Sequence, residues 1–188
     1  AGTASPVAAN GTVQADAPPV ENLTVLRGDG SLYRTLDSVG AVDRARETGN
    51  LTAPEPLVPG ETLVVRFRST ALNRSVAGGD AGETTTERFF DALESNPASE
   101  FAITRSAGPG CEPVRLPPES GRAGVLHDAA NATFAVVMDT ETFRAVGGCG
   151  GDPTLPGDYE VAVTMAGEDR RRTVEGPLRV RASEDATL

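Results

Sequence analysis

Five of the six asparagines in this chain open an Asn-X-Ser/Thr triplet: Asn10-Gly11-Thr12, Asn22-Leu23-Thr24, Asn50-Leu51-Thr52, Asn73-Arg74-Ser75 and Asn131-Ala132-Thr133. With 29 Ser and Thr among 188 residues, a hydroxyl would stand two places after an Asn about 15% of the time, so chance supplies roughly one such triplet. Five point to selection as N-glycan acceptors, and therefore to export. A glycan is bulky and solvated, so each acceptor also marks surface that faces water. The sixth asparagine, Asn96, precedes Pro97 and falls outside the rule.

The remaining reactive residue types are few. Cys111 and Cys149 sit in the loops Gly108-Pro109-Gly110-Cys111 and Gly147-Gly148-Cys149-Gly150-Gly151, where a bridge distorts no regular element, and a single disulfide is expected. The alternatives for two cysteines are a metal site or a nucleophile. A tetrahedral zinc site would need carboxylates as well, because His127 is the only imidazole. His127 next to Asp128 resembles two members of a triad, yet neighbours on an extended chain point to opposite faces, which places Asp128 poorly for orienting the ring. No Gly-X-Ser-X-Gly elbow, zinc-protease helix or phosphate loop is present, although distant carboxylates could still pair as in a glycosidase. The expectation is a protein that is not an enzyme. Asp139, Asp152 and Asp158 fall near predicted strand ends, and oxygen-rich loops of a sandwich can host calcium, so calcium is the one cofactor considered. No spacing fits an EF-hand loop, and solvated surface acids are the competing explanation.

Composition describes the setting. There are 27 acidic residues against 17 basic ones, a net charge of -10, and every cation is Arg. This balance points to a halophile. In molar salt the Debye length falls to about 3 Å, so like-charge repulsion costs little while the acidic surface keeps the molecule hydrated. An ordinary acidic extracellular protein is the alternative. No basic stripe exists to neutralise phosphates, since Arg170, Arg171 and Arg172 are flanked by Glu168, Asp169 and Glu175, and this argues against nucleic acid as a partner. No stretch approaches 18 apolar residues, so no direct membrane insertion is expected. Ala1-Gly2-Thr3-Ala4-Ser5 reads as the remainder after removal of a signal peptide.

The elements that would position these residues are mostly strands. Residues 1–19 are Ala-, Pro- and Thr-rich, but Val13, Ala15 and Ala17 alternate with polar neighbours as a half-buried strand would. That arm could pack on its own domain, remain a linker, or pair with the sheet edge of a neighbouring copy. Strands are predicted at 22–27, 61–69, 101–105, 114–116, 132–138, 159–164, 170–174 and 178–182, with 117–127 irregular or at an edge. Leu63, Val65 and Phe67 should point inward. Helices are predicted over 35–47 and from a Thr84/Glu87 capping box to Asn96, with a short turn over 140–146. Arg27-Gly28-Asp29 is turn chemistry rather than an adhesion signal. Tyr159, after Pro156-Gly157-Asp158, could send its hydroxyl back to upstream backbone as in the tyrosine corner. The expected fold is mainly β: an immunoglobulin-like antiparallel β-sandwich over 20–182 with two or three short helices in its connections, followed by a tail at 183–188.

Asn22-Leu23-Thr24-Val25 followed by Leu32-Tyr33-Arg34, the helix end Arg44 to Thr52, Pro59-Gly60-Glu61-Thr62-Leu63-Val64-Val65-Arg66, Thr86-Glu87-Arg88-Phe89 and Asp128 to Thr133 together resemble a domain of secreted cell-surface glycoproteins of haloarchaea, over residues 20–182. The resemblance implies an envelope component at the cell surface, with other envelope glycoproteins and other copies of itself as partners. It carries over no catalytic or binding residues. The expected function is a non-enzymatic structural glycoprotein that self-assembles, by N-terminal strand addition or otherwise. A stand-alone adhesion or ligand-binding module is the alternative, and a secreted hydrolase the second.

Overall fold

Two strands with buried apolar residues on both faces set the architecture. β3 (Thr62–Arg68) and β7 (Thr133–Asp139) pair antiparallel, with Leu63 opposite Met138, Val65 opposite Val136 and Phe67 opposite Phe134. The alternation of a strand sends these six side chains to one face and Val64, Ala135 and Val137 to the other. All nine are buried, so both faces of the pair need a cover.

The computed structural model, which describes residues 18–53, 56–118 and 122–182, supplies both covers. β3 and β7 lie at the centre of a five-stranded antiparallel sheet ordered β2 (Leu51–Thr52), β1 (Glu21–Gly28), β3, β7, β6 (Arg122–Asp128). A second five-stranded antiparallel sheet runs β10 (Arg171–Val180), β9 (Gly157–Ala166), β4 (Glu100–Arg105), β5 (Glu112–Arg115), β8 (Val146–Gly148). Its Phe101, Ile103, Val161, Val163 and Leu178 meet Val65, Phe67, Phe134 and Val136 in a shared core. The molecule is therefore a mainly β, two-sheet sandwich with a few short helices. The chain changes sheet after β3, after β5 and after β7, as sandwiches commonly do.

On the far side of the first sheet, α1 (Leu32–Thr35) and α2 (Val39–Glu47) provide the other cover. Leu36, Val39, Val42 and Ala45 from this stretch close a second core over Leu26, Val64, Ala135 and Val137. Ser38 caps α2 by accepting from the Ala41 amide, and Gly49 at φ 78° ends it, with the Asn50 amide donating to the Ala45 carbonyl at 2.8 Å. The second sheet keeps a wet face: Tyr159 and Val161 are buried while Asp158 and Glu160, which alternate with them, are exposed.

α3 (Thr70–Ala77) and α4 (Thr85–Glu94) connect the two sheets. α4 starts on the expected capping box, Thr84 Oγ1 accepting from the Glu87 amide and Glu87 Oε2 from the Thr84 amide. Phe89 then enters the core, its ring 5.1 to 6.4 Å from those of Phe67, Phe90, Phe101 and Phe134. Several segments differ from expectation: the helix expected over 35–47 starts only at Val39, after an extended Leu36, and the short β2 and β8 lie where no strand was expected. α3 appears where no helix was read; Ser69 caps it by accepting from the Leu72 amide. The stretch 140–146 contains only a 3-10 turn, Thr140–Thr142, capped by Asp139 rather than Thr140, before β8. Residues 171–180 form one strand instead of two, because the turn-like Glu175-Gly176-Pro177 lies on an edge that tolerates proline. The segment 117–127 holds β6, an edge strand. Asn10 and the alternating Val13, Ala15 and Ala17 lie outside the described residues, as do 183–188. At the start of the described chain the Pro19 carbonyl accepts from Ser69 Oγ at 2.6 Å and Val20 is fully buried.

Candidate functional site

The β6–β7 turn brings together three of the residue types singled out by sequence. Asp128 Oδ1 accepts from the amides of Ala130 and Asn131, and its Oδ2 from Asn131 Nδ2 at 2.7 Å. The Asn131 side-chain hydrogen bond, ahead of the backbone ones, holds the Asp128 carboxyl below the usual carboxylate range. Asn131 itself is exposed, at the tip of the turn. Ala132 follows in the left-handed region at φ 51°, and its carbonyl accepts from the Ser69 amide, fixing the turn against the start of α3.

α3 places Asn73 against the same turn. Its Nδ2 donates to the Ala129 carbonyl at 3.3 Å, so its Oδ1 faces the ring of His127, 2.6 Å from Nε2. A carbonyl oxygen can only accept, and Nε2 therefore carries the proton and donates. The imidazole stacks on Phe134 at 4.4 Å and 8°. Burial is the main cause that lowers the His127 pKa; Asp128 opposes it and Arg88 adds to it. His127 and Asp128 thus point to different partners: the ring holds Asn73 and the carboxylate organises the turn. The tie between Asn73 and His127 was missed by sequence reasoning, since a separation of 54 residues carries no local signal.

Of the other acceptors, Asn22 is exposed on β1 at φ 58°, where the register with β3 shifts between Glu21 and Thr24, so a bulge turns it out of the sheet. Asn50 is exposed just past α2, its Nδ2 reaching only Thr48 Oγ1 at 3.1 Å. Asn73 is the half-buried one. Asn22, Asn50 and Asn131 thus present side chains to water, whereas Asn73 has both ends of its amide engaged.

Cys111 and Cys149 form a disulfide with a Cα–Cα distance of 4.9 Å, within the range such bonds span, across 38 residues. It fastens the β4–β5 loop to the end of β8 beside the paired residues Glu112 and Gly148. Gly147 at φ 91° makes this possible: a Cβ there would stand 2.5 Å from the Pro113 carbonyl oxygen. In the chain-entropy treatment the bond contributes about 4 kcal/mol.

The three carboxylates considered for calcium are not brought together. Asp139 caps the 3-10 turn, Asp158 is paired with Arg179 Nε at 2.6 Å in the other sheet, and Asp152 is exposed in the loop before β9. Among the described residues no group of three or more His, Cys, Asp or Glu is placed to hold a metal ion. Arg27 is paired with Glu61 at 2.7 Å and Asp29 Oδ1 accepts from the Ser31 amide, so the Arg27-Gly28-Asp29 triplet ends β1 and enters the turn to α1. Tyr159 sends its hydroxyl back to the Leu155 carbonyl at 2.7 Å, with the Arg105 guanidinium 5.5 Å over its ring. No family model, curated protein or solved structure matches this chain.

Proposed function

We propose that this chain is a non-enzymatic, extracellular structural glycoprotein of a haloarchaeal envelope, built on an immunoglobulin-like domain, that assembles with copies of itself and with other envelope glycoproteins. The observation that carries this reading is the exposure of Asn22, Asn50 and Asn131, three acceptors on three separate elements. Sequence enrichment alone leaves open that the triplets are buried; surface placement is what attached sugar requires. The disulfide between two glycine loops supports an oxidising compartment. The antiparallel sandwich and the Tyr159 hydroxyl turned back on Leu155 support the immunoglobulin-like assignment. Among the described residues no helix is long and apolar enough to cross a membrane.

Assembly is proposed to use the N-terminal arm as a strand added to a neighbour. Sedimentation velocity in about 1 M KCl, where repulsion between acidic copies is screened, tests this on the full chain and on a chain starting at Pro18, which keeps the Pro19–Ser69 anchor. Oligomers formed by the full chain and lost on truncation support the arm. Equal behaviour of the two chains removes it.

A further inference from the structure

Among the described residues, β10 is an edge strand with one defined gap. Two observations establish which of its backbone groups face away from β9. At the hairpin, the Gly167 amide donates to the Arg170 carbonyl at 2.6 Å, so 167 and 170 bond each other. Counting along the register, Arg172, Val174, Gly176 and Leu178 bond β9, and Arg171, Thr173, Glu175, Pro177 and Arg179 turn outward. At the other end, the Leu57 amide donates to the Arg179 carbonyl at 2.7 Å and the Arg181 amide to the Leu57 carbonyl at 2.9 Å, which fits the same parity. Leu57 thus covers the end of this edge. Pro177 has no N–H and sits at an outward position, where it removes a donor from the edge and none from the ladder. Between the hairpin and Pro177 the amides and carbonyls of Arg171, Thr173 and Glu175 remain directed outward on exposed residues. Among the described residues neither Arg171 nor Glu175 makes an ion pair.

We infer that this edge is the docking surface for the β10 of a second copy, antiparallel about a two-fold axis through Thr173. In that register Arg171 faces the second copy's Glu175, Thr173 faces its counterpart, and Glu175 faces the second copy's Arg171. All three are outward-bonding positions, so each facing pair exchanges two N–H···O bonds, about six in all. The same three side chains share the wet face of the sheet, where opposite charges and Thr–Thr pairs directly across an antiparallel ladder are favourable. The alternatives one step away lose this match. A shift toward the hairpin sets Arg172 against Arg172, and a shift the other way sets Arg171 against Pro177, which lacks a donor. Charge complementarity therefore selects the occupant and the register together. Gly176 allows the edge to sit close to β1, since a Cβ there would stand 2.8 Å from Leu23 Cδ2. An edge of three residues buries far less than the ~1,000 Å² of a stable interface, so the pairing is a weak contact that a lattice would use many times over.

This inference rests on the reading of a self-associating chain, and the test separates the two. Sedimentation equilibrium of the full chain in about 1 M KCl is compared among the wild type, Thr173→Pro, Arg171→Glu, and Arg171→Glu combined with Glu175→Arg. Thr173→Pro removes one outward donor by the device already present at Pro177. With all but directly opposed charges screened at this salt, each single variant should raise the dimer dissociation constant about threefold or more, and the double reversal should return it to the wild-type value. The double reversal keeps its complementarity only across the two-fold, so its recovery cannot come from folding alone. Association that ignores all three variants, yet disappears on removal of residues 1–17, overturns the β10 pairing and leaves strand addition by the arm. A chain monomeric at every concentration overturns both.

Discussion

His127 is a residue whose charge state the fold controls. Its burial against Phe134 lowers its pKa, so on acidification the unfolded chain takes up the proton first. The sign follows: the ring's contribution to stability is complete above the unfolded value of about 6.5 and is lost as pH falls toward the lower folded value. Thermal midpoints of the wild type should therefore drop between about pH 7.5 and pH 5.5 by more than those of His127→Gln, which does not titrate. Equal drops would contradict a His127 pKa lowered by burial. The five asparagine triplets were legible from their spacing alone, and exposure of Asn22, Asn50 and Asn131 agrees with what such triplets demand. That Asn73 is instead half-buried was illegible, because its partner lies on a distant strand.

Among the elements, the legible ones carry their own signal. β7 is a nearly continuous apolar run, β3 alternates Leu63, Val65 and Phe67 with Thr62, Val64, Arg66 and Arg68, and α4 opens on a capping box. Thr84→Ala should cost about 1 kcal/mol and lower the thermal midpoint by about 2–4 °C, with Thr85→Ala one residue on nearly neutral. A midpoint equally insensitive to both would show that α4 is held by Phe89 and its packing alone. α3 was illegible for a physical reason: at eight residues it draws its stability from Leu72 and Val76 in the core and from the Ser69 bond to Pro19, none of which is local. β10 was split by its Glu175-Gly176-Pro177 stretch, because sequence does not reveal that this strand is an edge and Pro177 faces outward from it. The second core over Val64 and Val137 was likewise hidden, since alternation assigns one inward face and gives no warning that α2 will cover the other.

At the scale of the whole molecule, charge, covalent staple and exposed acceptor asparagines point the same way. A chain of net charge -10 repels its own copies in dilute buffer and approaches them in brine, where the Debye length is about 3 Å. The disulfide ties β8 to the β4–β5 loop, at the opposite end of the strand order from β10. Tyr159 and Arg105 secure the entry to β9, and the wet face of that sheet stays polar. The most direct test of an exported, sugar-coated structural protein is glycopeptide mass spectrometry of material taken from its native source, digested without reduction. Sugar on Asn22, Asn50 and Asn131 together with an intact Cys111–Cys149 peptide pair is the expected result; bare asparagines at all three positions with two free thiols would contradict it.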